Sequence, residues 1–196
     1  MTDLLAIMAH PDDAELLCAG ALIAAAAGGR STAILDLTGG ERGSWGTSRG
    51  RSEEAAAAAR VLGLTERRNA ELPDGALVNS PAARHAIAVH IRTLRPDTVI
   101  LHWPEARHPD HRAASELGRD ACFIAGVRNV DVAGEPFRPR KVVYALTYAE
   151  HAPKPTLVLD ISDHMERKLE AIFAFGSQFE GRTSMGDVFG GDRPLR

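Results

Sequence analysis

Only two cysteines, Cys18 and Cys122, occur in 196 residues, too few for a disulfide framework. Both fall in apolar helical surroundings and are read as reduced, buried thiols, which points to the cytoplasm. Neither charge dominates: 23 Lys and Arg against 26 Asp and Glu leave a formal net charge of -3, with the basic residues scattered. That distribution gives no footprint for a nucleic-acid backbone or an anionic membrane, so a small molecule is the expected partner. No hydrophobic run is long enough to cross a bilayer. Leu16 to Ala27 is interrupted by Cys18 and Gly20 and falls short of the roughly 20 residues required. The opening Met-Thr-Asp lacks a basic flank and a small-residue cleavage site, so no signal peptide is expected. Repeats and linkers are also missing, and the length suits a single domain. The apolar fraction of 44% and charged fraction of 25% exclude global disorder.

What is present is an alternation of strand and helix patterns. Leu4 to Ala9, Ser31 to Thr38 and Asp97 to Trp103 are apolar runs of the kind expected for parallel strands covered on both faces. Further strands are predicted near Arg68 to Leu72, over Lys141 to Tyr148 and over Thr156 to Ile161. Helices are predicted over Asp13 to Gly28, Arg51 to Leu64, Ser80 to Leu94, Asp110 to Val127 and Asp163 to Phe175. Ser52-Glu53-Glu54 would give the second of these an acidic first turn suited to the helix dipole. Gly39 to Gly50 reads as a long surface loop, and Gly181 to Arg196 as a loosely held tail. The pattern implies an open α/β sheet, mostly parallel, with ligands beyond the carboxyl ends of the strands.

Two histidine clusters sit at such ends. His10-Pro11-Asp12-Asp13 follows the first strand, and His108-Pro109-Asp110-His111 follows the Asp97 to Trp103 strand. A facial metal site needs about three nitrogen or oxygen ligands and one or two open positions. His10 and Asp13, three apart across a strand-to-helix turn, can share a helix N-terminus, and His111 would arrive from the neighbouring loop. This set suits zinc and also serves iron(II). Asp12 and Asp13 point differently, so one can ligate while the other faces a water as general base. Positive charge from Arg51 and from the metal would lower the pKa of Asp12. His108 could stabilise an oxyanion or protonate a leaving amine, with Asp110 as the partner that orients it. Either aspartate of the first cluster, or Asp110 of the second, could instead cap a helix.

Other candidates carry less. His85 and His90 read as surface or edge residues, His102 as a satisfied core histidine, and His164 as part of a helical first turn. Arg51 opens a helix and is either a solvated charge or a partner of Asp12 or substrate. His151 follows the Lys141 to Tyr148 strand and could touch substrate. Gly39-Gly40-Glu41-Arg42-Gly43 lacks the Gly-Lys-Ser/Thr that would make it a phosphate cradle.

Ala9-His10-Pro11-Asp12-Asp13-Ala14-Glu15 with Gly20, and Arg107-His108-Pro109-Asp110-His111, resemble the two signature segments of the LmbE/PIG-L zinc-dependent deacetylases. Leu37-Thr38, Glu41, Gly43, Gly46-Thr47, Arg51, Leu62-Gly63, Asp160-Ile161-Ser162 and Ser177-Gln178-Phe179 follow the same pattern over most of the chain. The resemblance implies a Rossmann-like three-layer α/β sandwich, often a trimer or hexamer. It implies zinc on His10, Asp13 and His111, Asp12 as base, His108 at the transition state with Asp110 behind it, and Arg51 near substrate or acetate. The Ser-Gln-Phe run most resembles the bacillithiol-pathway enzymes, which deacetylate N-acetylglucosaminyl-malate. Family members continue beyond the point where this chain stops, so a shortened C-terminal region is expected. The rival readings are an amidohydrolase for another amino-sugar, lipid-linked or antibiotic glycoside, and a non-catalytic sugar- or nucleotide-binding module.

Overall fold

The computed structural model describes residues 1–146 and 153–179. Five strands form one parallel sheet: β1 (Leu4–Met8), β2 (Thr32–Asp36), β3 (Glu66–Asn69), β4 (Thr98–His102) and β5 (Lys141–Ala145), in the order β3-β2-β1-β4-β5. From β1 the chain steps outward through β2 and β3, then returns to β4 on the other side of β1. The carboxyl ends of β1 and β4 therefore face the crevice where strand order reverses, and each leads into one histidine cluster.

Side-chain alternation splits the core between two faces. Leu5 and Ile7 join Leu35, Val99 and Leu101 beneath α4 (Pro81–Leu94) and α5 (Pro109–Ala125). Ala6 and Met8 join Ile34 and Ile100 on the opposite face, beneath α1 (Asp13–Leu17), α2 (Ala19–Ala27) and α6 (Met165–Phe173). Helix α3 (Ser48–Leu62) packs on α6, and α7 (Gly176–Phe179) on both. The result is the three-layer α/β sandwich expected from the alternation of patterns. Close approach of α5 to β4 requires Gly118, where a Cβ would lie 2.5 Å from the Leu101 side chain.

Four local expectations are corrected. The helix predicted over residues 13–28 is two helices, because Cys18 adopts φ -138° and ψ 8°, outside the helical region. Helix α3 starts three residues early: Thr47 caps it by accepting from Gly50 N–H, so Ser52, Glu53 and Glu54 lie beyond its first turn. Strand β3 is centred nearer Arg67 than Leu72. Thr156 to Ile161 is not a strand. Leu157 and Val158 are each 77% exposed, and a cleft separates this stretch from β5, so among the described residues its backbone joins no ladder. The last part of the predicted strand Lys141 to Tyr148 and the Gly181 to Arg196 tail fall outside the described residues.

Candidate metal centre and active site

The first cluster is shaped by a backbone conformation that its own contacts hold in place. Asp12 has φ 107° and ψ -26°, a left-handed geometry that side chains other than glycine rarely adopt. It turns the chain sharply between β1 and α1. The Asp13 carboxylate accepts from His10 N–H at 2.8 Å, closing the turn from inside. Arg51 closes it from outside, donating through Nη2 to the Pro11 carbonyl and, at 3.1 Å, to Asp12 Oδ2. The Arg51 guanidinium lies flat against Gly40, whose φ of 64° and missing Cβ make room for it.

Around this turn, donor atoms of His10, Asp13 and His111 lie within 4.8 Å of one another. His111 Nε2 is 3.1 Å from Asp13 Oδ1, and His10 Nδ1 is 3.3 Å from Asp13 Oδ2. A second triplet, His10, His108 and Asp110, meets the same distance. Both oxygens of its carboxylate take a backbone donor, Oδ2 from Gly75 N–H at 2.8 Å and Oδ1 from Leu77 N–H at 3.4 Å, whereas in Asp13 only Oδ2 does and Oδ1 faces His111. The first triplet is therefore the better candidate for a cation, and its two imidazoles and one carboxylate fit zinc or iron(II).

Burial and the charge of Asp13 push the Asp12 carboxyl well above the usual range, against the pull of Arg51. Among the protein's own groups the direction is thus opposite to that expected from Arg51 alone. Burial also disfavours ionised Asp13, but His102, His10 and His111 outweigh it and hold that carboxyl well below the usual range. For His10, burial is overcome by the Asp13 hydrogen bond and by the charges of Asp13 and Asp74, which raise it to about 9.

His108 stands at the rim of a cavity of about 240 Å³ lined also by His10, Asp12, Arg42, Arg51 and Asp74. Its orientation comes from the backbone. His108 Nδ1 accepts from Asp110 N–H at 3.1 Å, while the Asp110 carboxylate lies 3.3 Å from His10 Nε2. Asp110 therefore holds the His108 ring through its backbone N–H, while its carboxylate faces His10. Burial, His111 and His10 lower the pKa of His108, which favours a neutral ring. With Nδ1 accepting, the proton is on Nε2, so His108 offers a neutral N–H donor rather than an imidazolium.

Two residues of the cluster stand outside the site predicted from sequence. Asp74 approaches His10 Nε2 at 3.1 Å and accepts from Arg42 N–H at 2.7 Å. The signal available for it was Pro73-Asp74-Gly75, a turn after the third strand at the same end of the sheet. His102 is fully buried and accepts from Ala9 N–H at 2.9 Å, as a core histidine would, but its ring also stacks on His111 at 4.2 Å. His85, His90 and His164 lie outside the cluster, and His151 falls outside the described residues.

Residues 5–122 match the family model described as PIG-L, GlcNAc-PI de-N-acetylase. The chain belongs to the PIG-L family. It is 33% identical to the diacetylchitobiose deacetylase of Thermococcus kodakarensis, over 89% of this chain and 69% of that one. A probable N-acetyl-alpha-D-glucosaminyl L-malate deacetylase of Bacillus anthracis is 28% identical, over 92% of this chain and 83% of that one. A conserved protein of Thermus thermophilus shares the fold with a TM-score of 0.89 and 42% identity, covering 96% of this chain and 83% of that one. This PIG-L chain is an enzyme of an amide-hydrolysing class, as the paired histidine clusters led one to expect. The malate conjugate suggested by the Ser-Gln-Phe run is one of two sugar substrates among these relatives' names.

Proposed function

We propose that the chain is a zinc-dependent N-deacetylase that cleaves the acetamide of an N-acetylglucosamine conjugate to acetate and a free amine. One observation carries the reading: the Asp12 carboxylate, gripped by Arg51, and the His108 ring line the same cavity as His10, a member of the three-donor cluster. His10, Asp13 and His111 would hold the metal, which when bound would acidify a water and polarise the acetyl carbonyl.

The remaining roles belong to the chain itself. Asp12 accepts the proton of the attacking water, and Arg51 keeps that carboxylate in place. His108 donates Nε2–H to the oxygen on which charge develops. Asp110 and Asp74 steady His10 from the side away from Asp13. The proton held by Asp12 is then available to the departing amine.

For the sugar conjugate, N-acetylglucosaminyl-malate and a diacetylchitobiose-type disaccharide are the two substrates to compare. The cavity is of a size to hold about one sugar ring. Two buried, free cysteines favour a cytoplasmic enzyme, and no helix among the described residues is long and apolar enough to cross a membrane. A homo-oligomer, trimer or hexamer, completes the proposal.

Acetate release from both substrates, with and without chelator, is the test. We expect turnover that chelation abolishes and one equivalent of zinc restores. Asp12→Asn should lose nearly all turnover while still binding zinc. Near-wild-type turnover by that variant would overturn the proposed role of Asp12.

A further inference from the structure

Beneath the site lies a second charged cluster that the proposed chemistry does not use. Arg67, in β3, donates from Nε and Nη2 to Asp36 Oδ2 at 2.7 Å and Oδ1 at 3.0 Å, a two-point grip on the last residue of β2. Its Nη1 donates to Glu15 Oε1 at 2.6 Å, within the first turn of α1. The three side chains of Arg67, Asp36 and Glu15 are 8%, 4% and 0% exposed. Two carboxylates against one guanidinium leave a surplus negative charge, and Glu15 Oε2 is buried with no partner among the described residues.

Packing does not account for this cluster. Replacing buried ion pairs by apolar side chains of similar volume is often neutral or stabilising, so a chain that needed only a filled core would not place three charges here. What the cluster does is tie α1 to the sheet. Helix α1 has five residues and ends at the non-helical Cys18, too short to hold its own geometry. Its N-terminus nevertheless carries the left-handed Asp12, a conformation that persists only when its surroundings over-determine it. Arg51 and the Asp13 hydrogen bond fix the turn from its N-terminal side. On the helical side there are two charge-assisted ties, Lys168 Nζ to the Leu16 carbonyl at 2.9 Å and Glu15 to Arg67. The first comes from α6; the second reaches the sheet.

We propose that Glu15 and Arg67 are positioning residues: gripped together against Asp36, they anchor the first turn of α1 and thereby hold Asp12 and Asp13 in the geometry that metal binding and proton transfer require. This rests on the deacetylase reading for its kinetic consequence, but not for its effect on the metal site.

The test uses the full chain with Glu15→Met, which keeps side-chain volume and leaves Arg67 and Asp36 as a balanced pair. Its unfolding midpoint should stay close to that of wild type. Cobalt(II) titration of the metal-free protein, followed by visible absorption, should show a dissociation constant about tenfold higher. Turnover of the N-acetylglucosamine substrate should fall about 10- to 100-fold in kcat, with KM changed by less than about threefold. Glu15→Gln, which restores a hydrogen bond to Arg67, should recover part of both losses. If Glu15→Met does not fold, Arg67→Lys is read by the same criteria. A folded variant with wild-type cobalt affinity and kcat overturns the proposal, as does a loss that only follows the folded fraction. If the wild type releases no acetate from either sugar, the deacetylase reading fails, while the cobalt titration still decides the positioning role.

Discussion

Arg51 reaches Asp12 across 39 residues of sequence, Nη2 to Oδ2 at 3.1 Å, with the two side chains 5% and 16% exposed. It is the cation that lets two adjacent aspartates occupy one buried turn. Arg51→Met should therefore leave Asp12 without its ion-pair partner beside Asp13, whose own charge is offset by the neighbouring histidines. Loss of one partner of a buried pair costs on the order of 3 kcal/mol. Urea unfolding of the metal-free variant should show a loss of that order. Turnover should drop at least about tenfold, because the lost pairing also frees the proposed base.

The metal-free protein should lose stability as pH rises from neutrality. His10 is raised from 6.5 to about 9 in the folded chain, held there by Asp13 and Asp74 against the opposing effect of burial. A group raised on folding stabilises fully below its unfolded pKa, and that contribution is lost as pH climbs through the folded value. Unfolding midpoints of chelated protein should thus decline between about pH 6.5 and 9. Zinc-loaded protein should not show this decline, since a ligating imidazole is already deprotonated. A flat profile for the chelated protein would count against the His10 arrangement.

Gly20 should tolerate no side chain. A Cβ there would meet the Ile161 side chain at 2.6 Å, because α2 and the stretch leading to α6 touch at this point. Gly20→Ala should destabilise by about 1–3 kcal/mol through overpacking. Introducing it together with Ile161→Ala should cost much less than the two single changes combined, as measured by denaturant midpoints.

Both cysteines should be silent in the native protein. Burial pushes the thiols of Cys18 and Cys122 up to about 12, leaving almost no thiolate at neutral pH. An aromatic disulfide reagent in mildly alkaline buffer should label neither, and two thiols per chain should react once the protein is unfolded. Rapid labelling of a folded sample would show that one helix opens locally.

The central strands were legible in the sequence because each is an apolar run with both faces buried. The two histidine clusters were legible because each sits where such a run ends. Errors arose where tertiary context overrode local pattern. Cys18 breaks a run whose pattern reads as one helix to Gly28, and Leu157 to Leu159 have strand residues but pair with no strand among the described residues. Within the site, spacing along the chain suggested that Asp110 would serve His108, yet its carboxylate turns across the crevice to His10. Asp74 reaches the same ring from a loop that no helical or strand periodicity marks. The Ser-Gln-Phe segment has a physical reading as well. Ser177 donates its N–H and hydroxyl to Glu54, and the Gln178 amide donates to the Trp45 carbonyl, pinning the glycine-rich loop that leads to Arg51.

The pairing of β1 with β4 has a further consequence, for folding. Leu4 and Thr98 are in register, so His10 and His111 come within reach of one metal only after a loop of roughly 90 residues has closed. Contacts of such long range are slow to form and arrive late in assembly. A metal ion should then bind the refolding chain only when the middle of the sheet is complete. Cobalt absorption, followed in a stopped-flow experiment, would time that closure directly.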